Sequence, residues 1–559
     1  MLGIGKWSGT ALLIGIAVAS ACSDESGPSN PAPTGLAASA TNATVIHVSW
    51  NAATGVTQFI LERAEGASGT FAEINRPAGS ATSFDDSGLS PTTLYRYRIA
   101  AVRGGETSGF SAEASATTSA PQQVNVTADI TANTTWTAGN IYKLVGFRKV
   151  TSGATLTIEA GTKIIGDFAT VGSSLFVLRG ARIVANGTAA QPVVFTSSVA
   201  DGSRQPGDWG GLILIGNGLI NRSGTVDIEG TGTSTDNPLV PYGCPGCNTN
   251  NADNSGALHY VRVEYAGFGP APNAELNSFT FAAIGSGTAL DHLQSLNGLD
   301  DSFEFFGGAV DGKYLVSYES GDDHFDMSEG YVGRLQFLIG FQSRVFPPRP
   351  GVGSASTDPQ GIENDGCNGS GCDLGFNSTP FTVPVVANFT LIGTGPGVVP
   401  SGGGFGAVLR RGTGGHYING VFGRWPNAGI GYRNTETKQR ETDGLLSIKN
   451  LLIVESPLAL EAGQQSYDLA SNNVVFEAAT TAASLFTKLP AQPAGPTAVA
   501  DFDWSLSTLA AARTGGLTTF TGDLLTRAGS FVTGTVYRGA ADPAATSKWW
   551  EGWTAYHRN

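Results

Sequence analysis

Acidic residues recur at a fixed interval in the middle of this chain. Asp300-Asp301-Ser302-Phe303-Glu304 returns one unit later as Asp322-Asp323-His324-Phe325-Asp326, and Ile362-Glu363 continues the series across a longer spacing that requires an inserted loop or a skipped coil. Seven carboxylates on three such units, Asp300, Asp301, Glu304, Asp322, Asp323, Asp326 and Glu363, repel one another unless their acid constants rise or a cation joins them. A hard cation with six to eight oxygen ligands, calcium, suits that density, and Asp300, Asp301, Asp322 and Asp323 are its candidate ligands. The same spacing also allows catalysis. If the units are stacked strands about 4.8 Å apart, Glu304 and Asp326 lie near the ~5 Å separation of a retaining glycosidase, and Glu363 extends the file toward an inverting one. A cation with a nearby arginine would instead serve a polysaccharide lyase, for which Arg344 and Arg410 are candidates. Glu304, Asp326, Glu363 and Arg410 are thus the candidate catalytic set. Asp and Asn are also ordinary corner residues, because their side chains bond their own backbone, so the Asp pairs have a purely structural reading beside the functional one. His324 and His416 lie near these units and are expected to be solvated turn residues.

The element that aligns these acids must be a repeated strand and turn. Ser278-Phe279-Thr280-Phe281 recurs one unit later as Ser302-Phe303-Glu304-Phe305. A period of roughly two dozen residues, built from short β runs and glycine turns, is a solenoid signature, since each coil buries its inner face only by stacking on neighbours. Alternation along a strand turns the phenylalanines inward and Thr280, Glu304, Asp326 and Glu363 outward. Leu409-Arg410 and Leu460-Glu461 extend the outward column through longer spacings that require inserted loops.

Further runs, Leu156 to Ile165, Leu175 to Gly187, Gly207-Asp208-Trp209-Gly210-Gly211 and Tyr260 to Gly267, continue the texture. They resemble the coils of secreted right-handed parallel β-helix proteins of the pectate-lyase-like kind, a resemblance that spans most of the last 430 or so residues and implies the fold without fixing an activity. Upstream, Val45 to Trp50, Phe59 to Arg63 and Gly88-Leu89-Ser90-Pro91-Thr92-Thr93-Leu94-Tyr95-Arg96-Tyr97-Arg98 follow the order of a fibronectin type III domain. That resemblance implies a β-sandwich with Tyr95 as the tyrosine-corner residue and Trp50 in the core, used as a spacer. The chain is therefore read as all-β: a small fibronectin-type-III-like sandwich over 34–120, then a large right-handed parallel β-helix over 121–559. Three tryptophans at 549, 550 and 553 are expected to cap the open end of the solenoid.

The beginning of the chain carries an address. Lys6, an apolar stretch from Ala11 to Ala19 too short to span a bilayer, and Ala19-Ser20-Ala21-Cys22 read as a secretory signal. Small residues before a cysteine resemble the lipobox of bacterial lipoproteins, implying removal of residues 1–21 and lipidation of Cys22. Residues 22–33 then form a flexible tether to a bacterial membrane, expected to be the outer membrane or cell surface. No later stretch holds the ~18 apolar residues of a spanning helix.

Composition agrees with export. Only 14 % of residues are charged, glycine numbers 77, and 46 acids against 32 lysines and arginines give a net charge of −14. Nucleic acid, a partner of like sign, is excluded as the main target. Four further cysteines come as Cys244 and Cys247 in CPGC, and Cys367 and Cys372 in CNGSGC. Outside the cytoplasm two local disulfides are favoured over a four-thiolate zinc site, although spacing leaves three pairings open. The functional expectation is a surface lipoprotein whose β-helix binds an extracellular polysaccharide or surface partner. The rivals are a calcium-dependent polysaccharide lyase or glycoside hydrolase, and a structural surface protein.

Overall fold

The computed structural model describes residues 30–233, 237–243, 249–271, 274–395, 402–491, 495 and 497–558. Cys22, Cys244 and Cys247 lie outside them. The chain divides into two units, residues 1–119 and 120–559.

The first unit is an antiparallel sandwich. One sheet joins Ala37–Ala40, Val45–Ser49 and Ser83–Ser87, and the other is built on Gln58–Glu65 paired with Leu94–Arg103. Strand alternation sends Ile46, Val48, Phe59, Leu61, Tyr97 and Ile99 into one core. Trp50 meets Phe59 edge-on there, at 5.3 Å between ring centroids. The Tyr95 hydroxyl accepts a hydrogen bond from the Ser90 N–H at 3.0 Å, which locks the corner that the sequence implies.

The second unit is a parallel β-helix with two long walls, one of seventeen strands and one of nine, in which every strand pairing is parallel. The nine-stranded wall carries the acidic repeat. Its consecutive strands Phe279–Ala282, Phe303–Phe306, Phe325–Ser328 and Ile362–Asp365 pair in register. Inward-facing aromatic rings stack from coil to coil, Phe279 on Phe303 at 5.0 Å, Phe303 on Phe325 at 5.3 Å and Phe281 on Phe305 at 5.1 Å. Phenylalanine at the same inner position of successive coils has this consequence: parallel rungs bring like side chains into contact, and ring stacking adds to the burial.

The seventeen-stranded wall bends. Tyr260, His292, Tyr314 and Phe337 each occupy the left-handed backbone region in the middle of a strand, with φ of 49°, 53°, 61° and 66°. Side chains seldom adopt this conformation. Here the rings stack on one another at 4.3, 4.5 and 5.2 Å, which offsets the strain coil by coil.

The tryptophan tail does not cap the end of the solenoid. It lies along the bent wall: the Trp553 carbonyl accepts from Arg262, Ala555 exchanges hydrogen bonds with Gln294, and Trp550, Trp553 and Tyr556 share a core with Leu296, Val316 and Ile339. The outer face of this wall is apolar along that line, so a strap over its flank removes more hydrocarbon from water than a lid over one coil would.

A candidate acidic site on the nine-stranded wall

Register places the acids in one file. Thr280 pairs with Glu304, Glu304 with Asp326, and Asp326 with Glu363. Arg410 is displaced from this file. Glu363 stands opposite Val408, and Arg410 lies two residues further along, opposite Asp365. Between Asp365 and Phe405 the chain passes through the strand Val385–Ile392 of the other wall in a longer coil, so the sequence spacing does not preserve the phase. Arg410 nevertheless reaches back to the file, pairing with Asp365 at 2.8 Å and also with Glu363, while Arg411 binds the other oxygen of Asp365. Glu461 is engaged with Arg433 at 2.7 Å. Arg344 follows a strand of the other wall and stacks on Phe346 at 4.4 Å, away from the file.

The column is not an open wall. Glu304 is 4 % exposed and Glu363 8 %, while Asp300, Asp322 and Asp326 remain partly exposed. Described residues of the stretch inserted between Ile215 and Gly256 pack over the wall. Ile228, Val240 and Tyr242 of this insertion form an outer apolar cluster with Ile213, Leu276 and Ala282, and Tyr242 stacks on Phe306 at 5.4 Å. The insertion is fastened through Glu329, which takes the Tyr242 hydroxyl at 2.7 Å and the Arg222 guanidinium at 2.6 Å. Glu229 of the insertion and Glu275, which follows the strand Gly256–Glu264, have no place in the repeat but repel the acids of the file from nearby. Asn277, also outside the repeat, donates from its side-chain amide to Glu304.

Crowding shows in the acid constants. Removal from water, followed by repulsion between neighbouring carboxylates, holds Asp300, Glu304 and Asp326 well above the ordinary carboxylate range. Glu363 is likewise raised by burial, then by Asp365 and Asp326, against the pull of Arg410. Asp322 is raised to about 7 by burial, and Glu229, though in contact with solvent, to about 7 by the protein packed around it and by Glu275. Asp326 Oδ1, Asp322 Oδ1 and Thr280 Oγ1 are buried without a hydrogen-bond partner. Three groups bring carboxylate oxygens within 4.8 Å of one another: Asp300, Asp301 and Asp322; Asp301, Glu304 and Asp326; and Asp323, Asp326 and Glu363. Such an arrangement can share protons among acids or hold hard cations.

Asp301 and Asp323 have a second task. At one corner of the solenoid each coil's side chain accepts the backbone N–H of the next. Asn277 takes Asp301 N–H at 3.0 Å, Asp301 takes Asp323 N–H at 2.8 Å, Asp323 takes Gln360 N–H at 2.5 Å, and Gln360 takes Phe405 N–H at 2.9 Å. Each of these aspartates thus holds a turn and also brings a carboxylate oxygen to an acidic group. Asp323→Asn keeps an acceptor and removes a crowded charge, so in chelator at pH 8 it is expected to stabilise by about 1 kcal/mol. Asp323→Ala leaves a buried N–H unmet and is expected to cost about 1–3 kcal/mol in denaturant melts. Equal effects of the two changes would refute this division of labour.

His324 and His416 are buried, not solvated. His324 is 1 % exposed, bonded to Ser317 and depressed to about 3 by burial, which keeps it neutral. His416 is 2 % exposed and contacts Asp523 at 3.0 Å. Cys367 and Cys372 form a disulfide.

The chain matches two family models, a fibronectin type III domain over residues 31–117 and a pectate-lyase-like β-helix domain over residues 128–497. A curated alpha-amylase of Niallia circulans is 42 % identical over 98 residues, which is 17 % of this chain and 7 % of the amylase. Among solved structures, an Fn3-like protein from Clostridium thermocellum is 32 % identical, covering 16 % of this chain and 95 % of its own at a TM-score of 0.15. The fn3 domain of human collagen alpha-1(XX) is 24 % identical, covering 18 % of this chain and 94 % of its own at a TM-score of 0.16. The pairing of domains supports an extracellular role related to carbohydrate or to the cell surface. With its parallel coils and a family match across most of its length, the chain belongs to the pectate-lyase-like β-helix domain family, and carries a fibronectin type III domain ahead of the helix.

Proposed function

We propose that this protein is a lipid-anchored surface protein whose β-helix takes calcium into the acidic file and, through it, binds an extracellular acidic glycan. The observation that carries this reading is the register, which sets Glu304, Asp326 and Glu363 on successive rungs with carboxylate oxygens of neighbouring acids within 4.8 Å. A file so negative repels a polyanion until cations intervene, and a cation with open coordination positions can bridge to a sugar carboxylate. Arg410 is occupied by Glu363 and Asp365, which leaves it poorly placed to serve as a catalytic base.

A second reading is favoured by one specific feature. Raised carboxyls beside neighbouring acids, one rung or about 4.8 Å apart, are what acid–base glycoside cleavage requires, so the same file suits a calcium-dependent lyase or hydrolase. Turnover separates the two. The Cys22→Ser variant, expected to leave the membrane fraction, is the soluble probe, incubated with acidic polysaccharides in calcium and in chelator. Calcium-dependent retention without new reducing ends or unsaturated sugars is the expected result. Cleavage products would establish the enzyme. Failure to bind any acidic polysaccharide, together with full function of the Glu304→Gln, Asp326→Asn, Glu363→Gln triple variant, would leave a structural surface protein.

A further inference from the structure

The bent wall holds a cavity in which cationic side chains outnumber acidic ones. It has a volume of about 580 Å³, within the range of small-molecule sites, and lies on the outer face of the strands Lys163–Gly166, Val193–Ser197 and Gly256–Glu264. Register fixes its floor. Lys163 pairs with Val194 and Val194 with Arg262, so two cations flank one small apolar residue, each about 4.8 Å from it along the sheet. In the neighbouring outward file Thr196 lies beside Ile165 and one rung from Glu264.

The surrounding charges are unequal. Asp201 contacts Arg204 at 2.5 Å, Glu264 contacts Arg262 at 3.0 Å, and Glu319 stands 3.6 Å from Arg558 behind the wall. Lys163 has no ion pair among the described residues, in a protein whose net charge is −14. Thr196 is 1 % exposed, lines the cavity, and its hydroxyl has no hydrogen-bond partner. An unanswered ammonium and an unmet buried hydroxyl converge on one space. The buried hydroxyl is costly to leave unmet while the ammonium is open to solvent, and one kind of ligand answers both.

We propose that this cavity is a binding site for a small organic acid on a hydroxylated, sugar-sized body, with the carboxylate over Val194 between Lys163 and Arg262 and a ligand hydroxyl bonded to Thr196. The site is separate from the acidic file, lies on the other wall, and needs no cation. The C-terminal strap closes one side of it through His557 and Arg558, so a ligand would also tie the strap to the wall.

Titration of the full-length protein in chelator, followed calorimetrically, tests the idea with D-glucuronate, D-glucose and acetate as probes. Saturable binding of D-glucuronate to one site is expected, with D-glucose and acetate each at least about tenfold weaker. Lys163→Gln is expected to weaken D-glucuronate roughly tenfold to a hundredfold, as loss of one charge-assisted hydrogen bond does. Thr196→Val is expected to weaken it about fivefold while leaving the melting temperature equal or higher, because the unliganded variant no longer buries an unmet hydroxyl. Absence of saturable binding, acetate or D-glucose binding as tightly as D-glucuronate, or wild-type affinity in Lys163→Gln would overturn the proposal. Because chelator strips the acidic file, none of these outcomes depends on calcium there.

Discussion

In chelator, raising the pH from 5 to 8 is expected to lower the melting temperature of the β-helix, and calcium is expected to restore it far more at pH 8 than at pH 5. The acids of the file are raised in the folded state. A raised carboxyl keeps its proton in the native protein where the unfolded chain has already lost it. Its unfavourable contribution therefore sets in as the pH passes the ordinary carboxylate value near 4, and is complete once the pH exceeds the folded value. For Asp322, raised from 3.8 to about 7, the loss is on the order of 4 kcal/mol above pH 7. Calcium replaces the protons with a charge that all the carboxylates share, and a ligand held at 100 times its dissociation constant contributes about 2.7 kcal/mol. Glu319, buried near Arg558 and raised to about 7, adds to the pH slope with the same sign, but stands outside the calcium-linked part. Scanning calorimetry at the two pH values, each with chelator and with calcium, reads both effects. A melting temperature indifferent to pH in chelator would remove the electrostatic account, and one indifferent to calcium at pH 8 would remove the metal.

Phe303→Ala is expected to cost about 3–5 kcal/mol, the range for deleting a fully enclosed aromatic side chain. Phe303 is 0 % exposed and lies between Phe279 and Phe325, so the variant opens a void that neither neighbouring ring can fill without leaving its own stack. The comparison is Phe306→Ala on the same strand. Phe306 points outward, is only partly buried and packs on Tyr242, so about 1–2 kcal/mol is expected there. Denaturant midpoints measure both. Similar costs at the two positions would mean that the phenylalanine file is not the core that aligns the acids. Glu304 is bonded through the backbone to the same rung, so Phe303→Ala is also expected to weaken calcium uptake.

The repeat is legible because a solenoid converts sequence period into spatial neighbourhood. Phe303-Glu304 and Phe325-Asp326 are one period apart in the chain and directly opposed in space, and alternation alone assigns one residue of each pair to the core and the other to the outer face. The tyrosine corner is legible for a similar reason, since Tyr95 and Ser90 are close in sequence as well as in space. Phase is lost where loops intervene. Arg410 is two residues out of the file because the coil between Asp365 and Phe405 is longer than the repeat and its length is not constrained by it. The place of the tail is not legible, because the surface it covers, with Leu296, Val316 and Ile339, is assembled from coils far upstream of Trp550 in the chain.

From the sequence alone came the class of fold, the two domains and the alignment of Glu304 with Asp326, all consequences of short-range alternation and of a period that stacking repeats. Tertiary structure alone decided that those acids lie beneath an insertion instead of in open water, that Glu229, Glu275 and Asn277 join them, that His324 is neutral, and that a cationic cavity opens on the opposite wall. Acidity and ligand capacity depend on how much water each group has lost and on which charges have come near it, and both are set by contacts between distant segments that no local pattern encodes.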